Sequence, residues 1–143
     1  SAVVPHVKVH DGNDFQVVDP NQWQSVAFTT AIYDIPGGMF NLDDGPTVVI
    51  IRQAGLYGVL GRITWDENES GFRWIRILRN RQEEIASGRA RAEAFLPQTI
   101  AGEGRFAVND KVELQVLHSV PPYRFLFRDP GVAPTLQVSF RSE

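Results

Sequence analysis

The sequence predicts an all-β fold, built as an antiparallel sandwich of two sheets. Three observations lead to this prediction. Apolar residues recur with a period of two, turn-forming Gly, Pro, Asn and Asp residues separate the apolar runs at even intervals, and no stretch has convincing helical periodicity. With 143 residues, the chain is long enough for one hydrophobic core and too short for two ordinary domains. We therefore expect a single domain over residues 1–143.

The first predicted strand lies near the start of the chain. Val7 and Val9 alternate there with Lys8 and His10, which is the pattern of a half-buried strand. Residues 1–18 are accordingly predicted to form either an N-terminal strand or an arm that leaves the domain.

The run 55–65 is apolar on both of its faces. One face carries Tyr57, Val59, Gly61, Ile63 and Trp65, and the other carries Leu56, Gly58, Leu60, Arg62 and Thr64. An antiparallel strand with one solvated face should be polar along that whole face. The second face is therefore predicted to contact another surface.

Further strands are predicted wherever alternating runs are bounded by turn residues. They cover 48–51, 72–78, 85–95, 98–106, 112–118 and 135–140. Only the run 85–95 has helical propensity, from its alanines, and a helix is the alternative there. Gly88 and the Ala and Arg alternation favour a strand.

Composition excludes several classes of function. A net charge of −3 and a pI near 5.6 leave no basic surface for nucleic acid, so we expect no nucleic-acid partner. The chain has no cysteine, hence no disulfide and no thiol nucleophile. No apolar run approaches the roughly 18 residues of a membrane span, so we expect no membrane insertion.

The residues offer little catalytic or metal-binding chemistry. His6, His10 and His118 are the only imidazoles, and only His6 and His10 are closely spaced. We interpret these two as exposed residues of an N-terminal strand and expect no metal and no cofactor. No serine lies in a nucleophile elbow.

Acidic residues cluster at three places, which leaves a glycosidase geometry open. They are Asp43 with Asp44, Glu83 with Glu84, and the acidic residues of 66–69. We interpret all three as solvated turns. The segment 66–70 could also collect oxygen ligands for Ca²⁺, although it lacks the pattern of an EF-hand.

The segment 121–131 is the candidate binding loop. Proline and glycine bracket a cluster of aromatic and arginine residues, the types that are enriched at binding hot spots. The candidate residues are Tyr123, Arg124, Phe125, Phe127 and Arg128. The alternative is that Tyr123, Phe125 and Phe127 form the core-facing edge of a strand.

An ordered series of motifs resembles a known family. Trp23, Val26 and Phe28 precede Gly55-Leu56-Tyr57, followed by Trp65 and by the run 71–80, G-F-R-W-I-R-I-L-R-N. A late F-A-V-N-D-K-V-E-L element at 106–114 and a final strand at 136–140 complete the series. It resembles the tumour-necrosis-factor-like jelly rolls, and more closely the complement globular-head (C1q-like) domains of bacterial and bacteriophage proteins. Asn109 stands where that family usually has Gly, and Asn tolerates left-handed backbone angles.

The resemblance implies an antiparallel two-sheet jelly roll of about ten strands that assembles as a homotrimer. It also implies that Leu56, Gly58, Leu60 and Arg62 contact neighbouring subunits, and that catalysis is absent. The expected function is a structural or adhesion module of a virion or a bacterial surface. Its expected partner is a protein or carbohydrate receptor, or another virion protein. The alternatives are a capsid decoration protein that uses residues 1–18 as an arm, and a jelly-roll carbohydrate-active enzyme.

Overall fold

Alternating burial along the strands organises the chain into two antiparallel sheets packed face to face, as the sequence predicts. The computed structural model describes residues 4–11, 16–127 and 131–143. The strands of these residues are β1 (His6–His10), β2 (Gln16–Val18), β3 (Gln24–Ser25), β4 (Thr30–Ile35), β5 (Val49–Ile50), β6 (Gly55–Thr64), β7 (Phe72–Arg79), β8 (Glu83–Arg91), β9 (Pro97–Phe106), β10 (Lys111–His118), β11 (Arg124–Leu126) and β12 (Thr135–Ser142). A short 3-10 helix, Leu42–Asp44, connects β4 to β5.

The first sheet has the strand order β4-β1-β12-β6-β9. The second has the order β3-β10-β7-β8, and β5 pairs with β10 beside β3. Strands β2 and β11 form a separate two-stranded ribbon, which Trp65 joins through an isolated bridge to Leu126. The ribbon therefore lies at the end of β6.

The core lies between the inner faces of the two sheets. Tyr57, Ile63 and Trp65 of β6 and its end are fully buried, as the sequence predicts. Gly61 is on the same face, where a Cβ atom would lie 2.6 Å from Leu114 Cδ1 of the opposite sheet. A larger residue at position 61 would therefore require the Leu114 side chain to shift within the core.

Several sequence predictions are confirmed and several need correction. The run 85–95 is a strand and not a helix, but β8 ends at Arg91, because 93–96 form a turn in which the Leu96 amide donates to Glu93 O at 3.2 Å. Asn109 adopts the left-handed conformation, with φ 75°, as predicted for its turn. Strand β4 was not predicted.

The N-terminal segment forms strands where it is described. Strand β1 pairs with both β4 and β12 inside the first sheet, and β2 pairs with β11. Residues 6–10 and 16–18 are therefore strands and not an arm. Deleting residues 1–18 would remove β1 from the interior of a sheet, so that deletion cannot test a decoration role by itself.

Candidate binding site

Three segments that are distant in sequence meet at one end of the sandwich. They are the turn after β6, the turn between β8 and β9, and the segment that contains β11. Asp66 joins them: its backbone O accepts from the Phe95 amide at 2.9 Å, and its Oδ2 accepts from the Phe125 amide at 2.9 Å. The Phe127 amide donates to Thr64 O at 2.8 Å. Backbone hydrogen bonds thus fix the position of this end.

The aromatic side chains of the candidate loop point away from the core. In β11 the core-facing residue is Leu126, which is fully buried, whereas Tyr123 and Phe125 are 43% and 36% exposed. The Tyr123 and Phe125 rings contact each other edge to face, with 5.3 Å between centroids. The alternative prediction, a core-facing row of Tyr123, Phe125 and Phe127, is therefore wrong.

A groove of about 320 Å³ lies between these segments. The described residues that line it are Asp66, Glu67, Phe95, Phe125 and Phe127. The Phe95 and Phe127 rings are in contact, with centroids 5.2 Å apart and planes inclined by 56°. Phe95 is 50% exposed and was not among the predicted site residues. These rings and carboxylates form the candidate site.

The two arginines predicted for this site have different outcomes. Arg124 is mostly buried, and its guanidinium lies 3.8 Å from Asp66 Oδ2, so it contributes to the scaffold beneath the groove. Arg128 lies outside the described residues. Asp66 is itself buried, which corrects the prediction that it belongs to a solvated turn.

A fully buried arginine holds the turn after β6. Arg73 donates hydrogen bonds to the backbone oxygens of Asn68, Ser70 and Phe72, and its guanidinium lies 5.3 Å from the centre of the Trp65 ring. Burial lowers the pKa of Arg73, and the charge of Asp66 opposes that shift. Because a guanidinium already uses oxygen atoms of this turn, the segment 66–70 is a poor Ca²⁺ site, contrary to the possibility raised by its sequence.

His118 is buried behind the same turn. Its Nε2 donates to Val18 O at 2.5 Å, and its Nδ1 accepts from the Val120 amide at 3.2 Å. This pair of contacts requires the neutral ring protonated at Nε2. Burial lowers the pKa of His118. The hydrogen bond to Val18 opposes that shift, the charges of Arg73 and Arg124 add to it, and the charge of Asp66 opposes it.

We expect His118 to make the fold less stable in mild acid. The pKa is lowered in the folded state, so the unfolded chain binds a proton more readily. The contribution is complete above the ordinary value of 6.5 and is lost as the pH falls through the folded-state pKa. Between pH 6.5 and the lower pKa of the folded state, the free energy of unfolding in urea should therefore fall by up to about 1.4 kcal/mol per pH unit. The slope should largely disappear in His118→Gln, and an equal slope in both proteins would contradict the assignment.

The predicted subunit face is the outer surface of the first sheet. Leu60 of β6 is 37% exposed and lies between Gln137 of β12 and Ala101 of β9 in the sheet register. Gly58 lies one step along, between Ser139 and Glu103. Gly58, Ala101 and Ser139 are small, and a hollow of about 210 Å³ lies beside Leu60.

The other predicted residues of this face lie at its margins. Leu56 is half-buried opposite Arg105, and Arg62 donates to Gly131 O at 2.9 Å. The guanidinium of Arg141 covers Gly58 and pairs with Glu103 at 3.3 Å. The sheet thus presents an uncharged centre around Leu60 with charged groups beside it.

The outer face of the second sheet carries an arginine and aromatic cluster that the sequence analysis missed. Arg89 lies 5.0 Å and 5.4 Å from the ring centres of Phe72 and Trp74, and Arg76 lies 3.8 Å from the ring centre of Trp23. The alternation in the run 72–76 gives the signal, because Arg73 and Ile75 face the core and Phe72, Trp74 and Arg76 must then face outward.

The remaining candidate residues are dispersed. His6 and His10 are half-buried and not exposed, and His6 contacts Tyr33 with ring centroids 5.2 Å apart. They are four positions apart along β1, about 13 Å of strand, which is too far to share a metal ion. Asp43 and Asp44 lie in the 3-10 helix, and Glu83 and Glu84 begin β8 and do not form a turn. In the described part of the chain, no three metal-ligating side chains cluster, and no helix is long and apolar enough to cross a membrane.

Comparison with known proteins gives structural matches but no sequence match. No family model and no curated protein matches the sequence. Among solved structures, the chain is similar to the globular domain of zebrafish complement 1qA protein, with a TM-score of 0.66 and 12% identity over 97% of this chain and 99% of that one. It is similar to murine APRIL at pH 8.0, with a TM-score of 0.72 and 10% identity over 96% of this chain and 100% of that one. For murine APRIL at pH 5.0 the TM-score is 0.69 and the identity 11% over the same shares.

These likenesses establish the fold. Together with the two antiparallel sheets, they confirm the predicted jelly-roll sandwich of the tumour-necrosis-factor and complement globular-head type.

Proposed function

We propose that this chain is a non-catalytic homotrimeric binding module. The observation that carries the proposal is the outer face of the first sheet, where Leu60 is exposed beside Gly58 and Ala101 on a strand buried on its other face. Such an uncharged centre suits packing against identical copies around an axis. The similarity of the fold to those of complement 1qA and APRIL supports the proposal of a binding module.

We further propose that the module acts on a virion or a bacterial surface, as a bacteriophage fibre, tail or capsid component. The motif series 23–28, 55–65, 71–80 and 106–114 supports this, because it resembles the bacterial and bacteriophage type of complement globular-head domain. The partner is a protein or carbohydrate receptor, or another virion protein. It is bound through the aromatic end around Phe95, Phe125 and Phe127.

The residues support binding better than turnover. Both ring nitrogens of His118 are engaged by backbone groups, and Asp66 accepts hydrogen bonds from the backbone and faces Arg124. Neither group is placed to transfer a proton to a bound ligand. A glycan panel separates the two functions, because binding without cleavage supports the module and cleavage abolished by a carboxylate substitution contradicts it.

The solution mass tests the assembly. Light scattering on a sizing column should give three times the monomer mass of 16.0 kDa. The outer face of the first sheet would then be covered and the aromatic end free. A monomer at micromolar concentration would contradict the trimer and leave the exposed Leu60 without a role.

A further inference from the structure

The groove at the aromatic end has the lining of a site for a positively charged group. Among the described residues its walls are Phe95, Phe125 and Phe127, and the carboxylates of Asp66 and Glu67 also line it. The face of an aromatic ring is electron-rich, so cations bind over such rings, and carboxylates strengthen the attraction. Among the described residues, no lysine, arginine or histidine lines the groove.

We propose that this groove binds a quaternary ammonium group, such as the head group of choline. The proposal rests on the proposed function, because it names a ligand for the same aromatic end. The volume of about 320 Å³ is at the lower limit of the range of about 300–1,000 Å³ that small-molecule pockets span.

The acceptors in the groove favour a quaternary over a primary ammonium group. Asp66 already accepts from the Phe125 amide at 2.9 Å and faces Arg124 at 3.8 Å. Glu67 is exposed, and no described residue pairs with its carboxylate. A lysine ammonium has three N–H donors and is strongly hydrated, so a single uncommitted carboxylate cannot replace its water. A quaternary ammonium has no N–H donor, and aromatic walls are sufficient for it.

The backbone at Phe95 gives an independent indication of function. Phe95 has a φ of 56°, in the left-handed region, and its amide donates to Asp66 O. That conformation costs a residue with a side chain about 1–2 kcal/mol, a cost that glycine avoids. The side chain is half-exposed, so burial of the ring offsets little of that backbone cost. A strained backbone that presents an exposed ring fits a ligand site.

The test compares choline with a neutral ligand of the same shape and with a primary ammonium. Choline chloride is titrated into the protein, with NaCl holding ionic strength constant, while NMR follows the aromatic side-chain signals of Phe95 and Phe127. The neutral isostere 3,3-dimethyl-1-butanol, with carbon in place of nitrogen, and Nα-acetyl-lysine amide are titrated in parallel. Choline should shift these signals saturably, and both comparison ligands should bind about 10-fold more weakly: the alcohol because it has no charge for a cation–π contact, and the lysine amide because its ammonium must lose water that the groove does not replace.

Matched variants locate the site. Phe95→Leu keeps an apolar side chain but removes the ring, and it should weaken choline binding about 5-fold to 10-fold. Glu67→Gln should weaken it as well, because it removes the uncommitted charge. Phe72→Leu alters an exposed phenylalanine of the second sheet and should leave choline binding unchanged.

Three outcomes would overturn the proposal: equal binding of the alcohol, tighter binding of the lysine amide, or no saturable shift with choline. The solution mass of the same sample separates this proposal from the proposed function. A trimer that does not bind choline overturns only the ammonium site, and a monomer that binds choline overturns only the assembly.

Discussion

Replacing Glu113 by alanine is expected to lower the free energy of unfolding by about 3 kcal/mol, because it removes the charged acceptor of two half-buried hydroxyl groups, and a hydrogen bond to a charged group contributes about 1.5–3 kcal/mol. Glu113 is fully buried on β10. Its carboxylate accepts hydrogen bonds from Ser25 Oγ at 2.8 Å, Thr47 Oγ1 at 3.0 Å and Arg81 Nε at 2.6 Å. The carboxylate therefore links β10 to β3, to the segment before β5 and to the turn after β7.

Two variants make the measurement specific to the buried acceptor. Glu83 pairs with Arg79 at 2.8 Å but is 60% exposed, so Glu83→Ala should cost less than about 1 kcal/mol. Glu113→Gln keeps the shape and one acceptor oxygen. Its loss of free energy of unfolding should therefore lie between the losses of Glu113→Ala and Glu83→Ala. All three are compared by urea denaturation at one protein concentration, because assembly adds to apparent stability. Equal losses for Glu113→Ala and Glu83→Ala would contradict the argument.

Local patterns predict the fold well where burial alternates regularly. Strands β6 and β7 are readable because their core faces are apolar at every second residue, with Arg73 as the exception in β7. Strand β4 breaks that rule, since its pairing with β1 contains a bulge between Lys8 and Val9, and Ile32 is exposed. A bulge shifts the side-chain alternation by one residue, so a search for a strict period of two does not detect such a strand.

The candidate site is harder to predict, because sheet pairing assembles it from distant segments. The cluster of aromatic residues at 121–131 is visible in the sequence, whereas Phe95 joins it because Asp66 accepts hydrogen bonds from the amides of both Phe95 and Phe125, and Glu67 joins it as the neighbour of Asp66. A left-handed residue is usually Gly or Asn, so nothing in the sequence indicates a left-handed turn at Phe95. Arg73 did have a signal, because it shares its strand face with the buried Ile75.

Replacing Leu60 by aspartate is expected to convert the proposed trimer into monomers of 16.0 kDa. Leu60 occupies the centre of the first sheet's outer face, so in a trimer each copy would bury an unpaired carboxylate. Burying such a charge costs several kcal/mol, and like charges from three subunits would add repulsion near the axis. In the isolated chain position 60 is already exposed, so the fold itself should change by less than about 0.5 kcal/mol.

The matched control is Leu42→Asp. Leu42 is an exposed leucine in the 3-10 helix, outside the strands of the first sheet, and it receives the same chemical change. Light scattering should show that Leu42→Asp remains trimeric while Leu60→Asp dissociates, and circular dichroism should show both folded. If Leu60→Asp keeps the mass of the wild type, Leu60 is not at the interface. Dissociation of Leu42→Asp alone would instead place the interface on the face that carries the 3-10 helix.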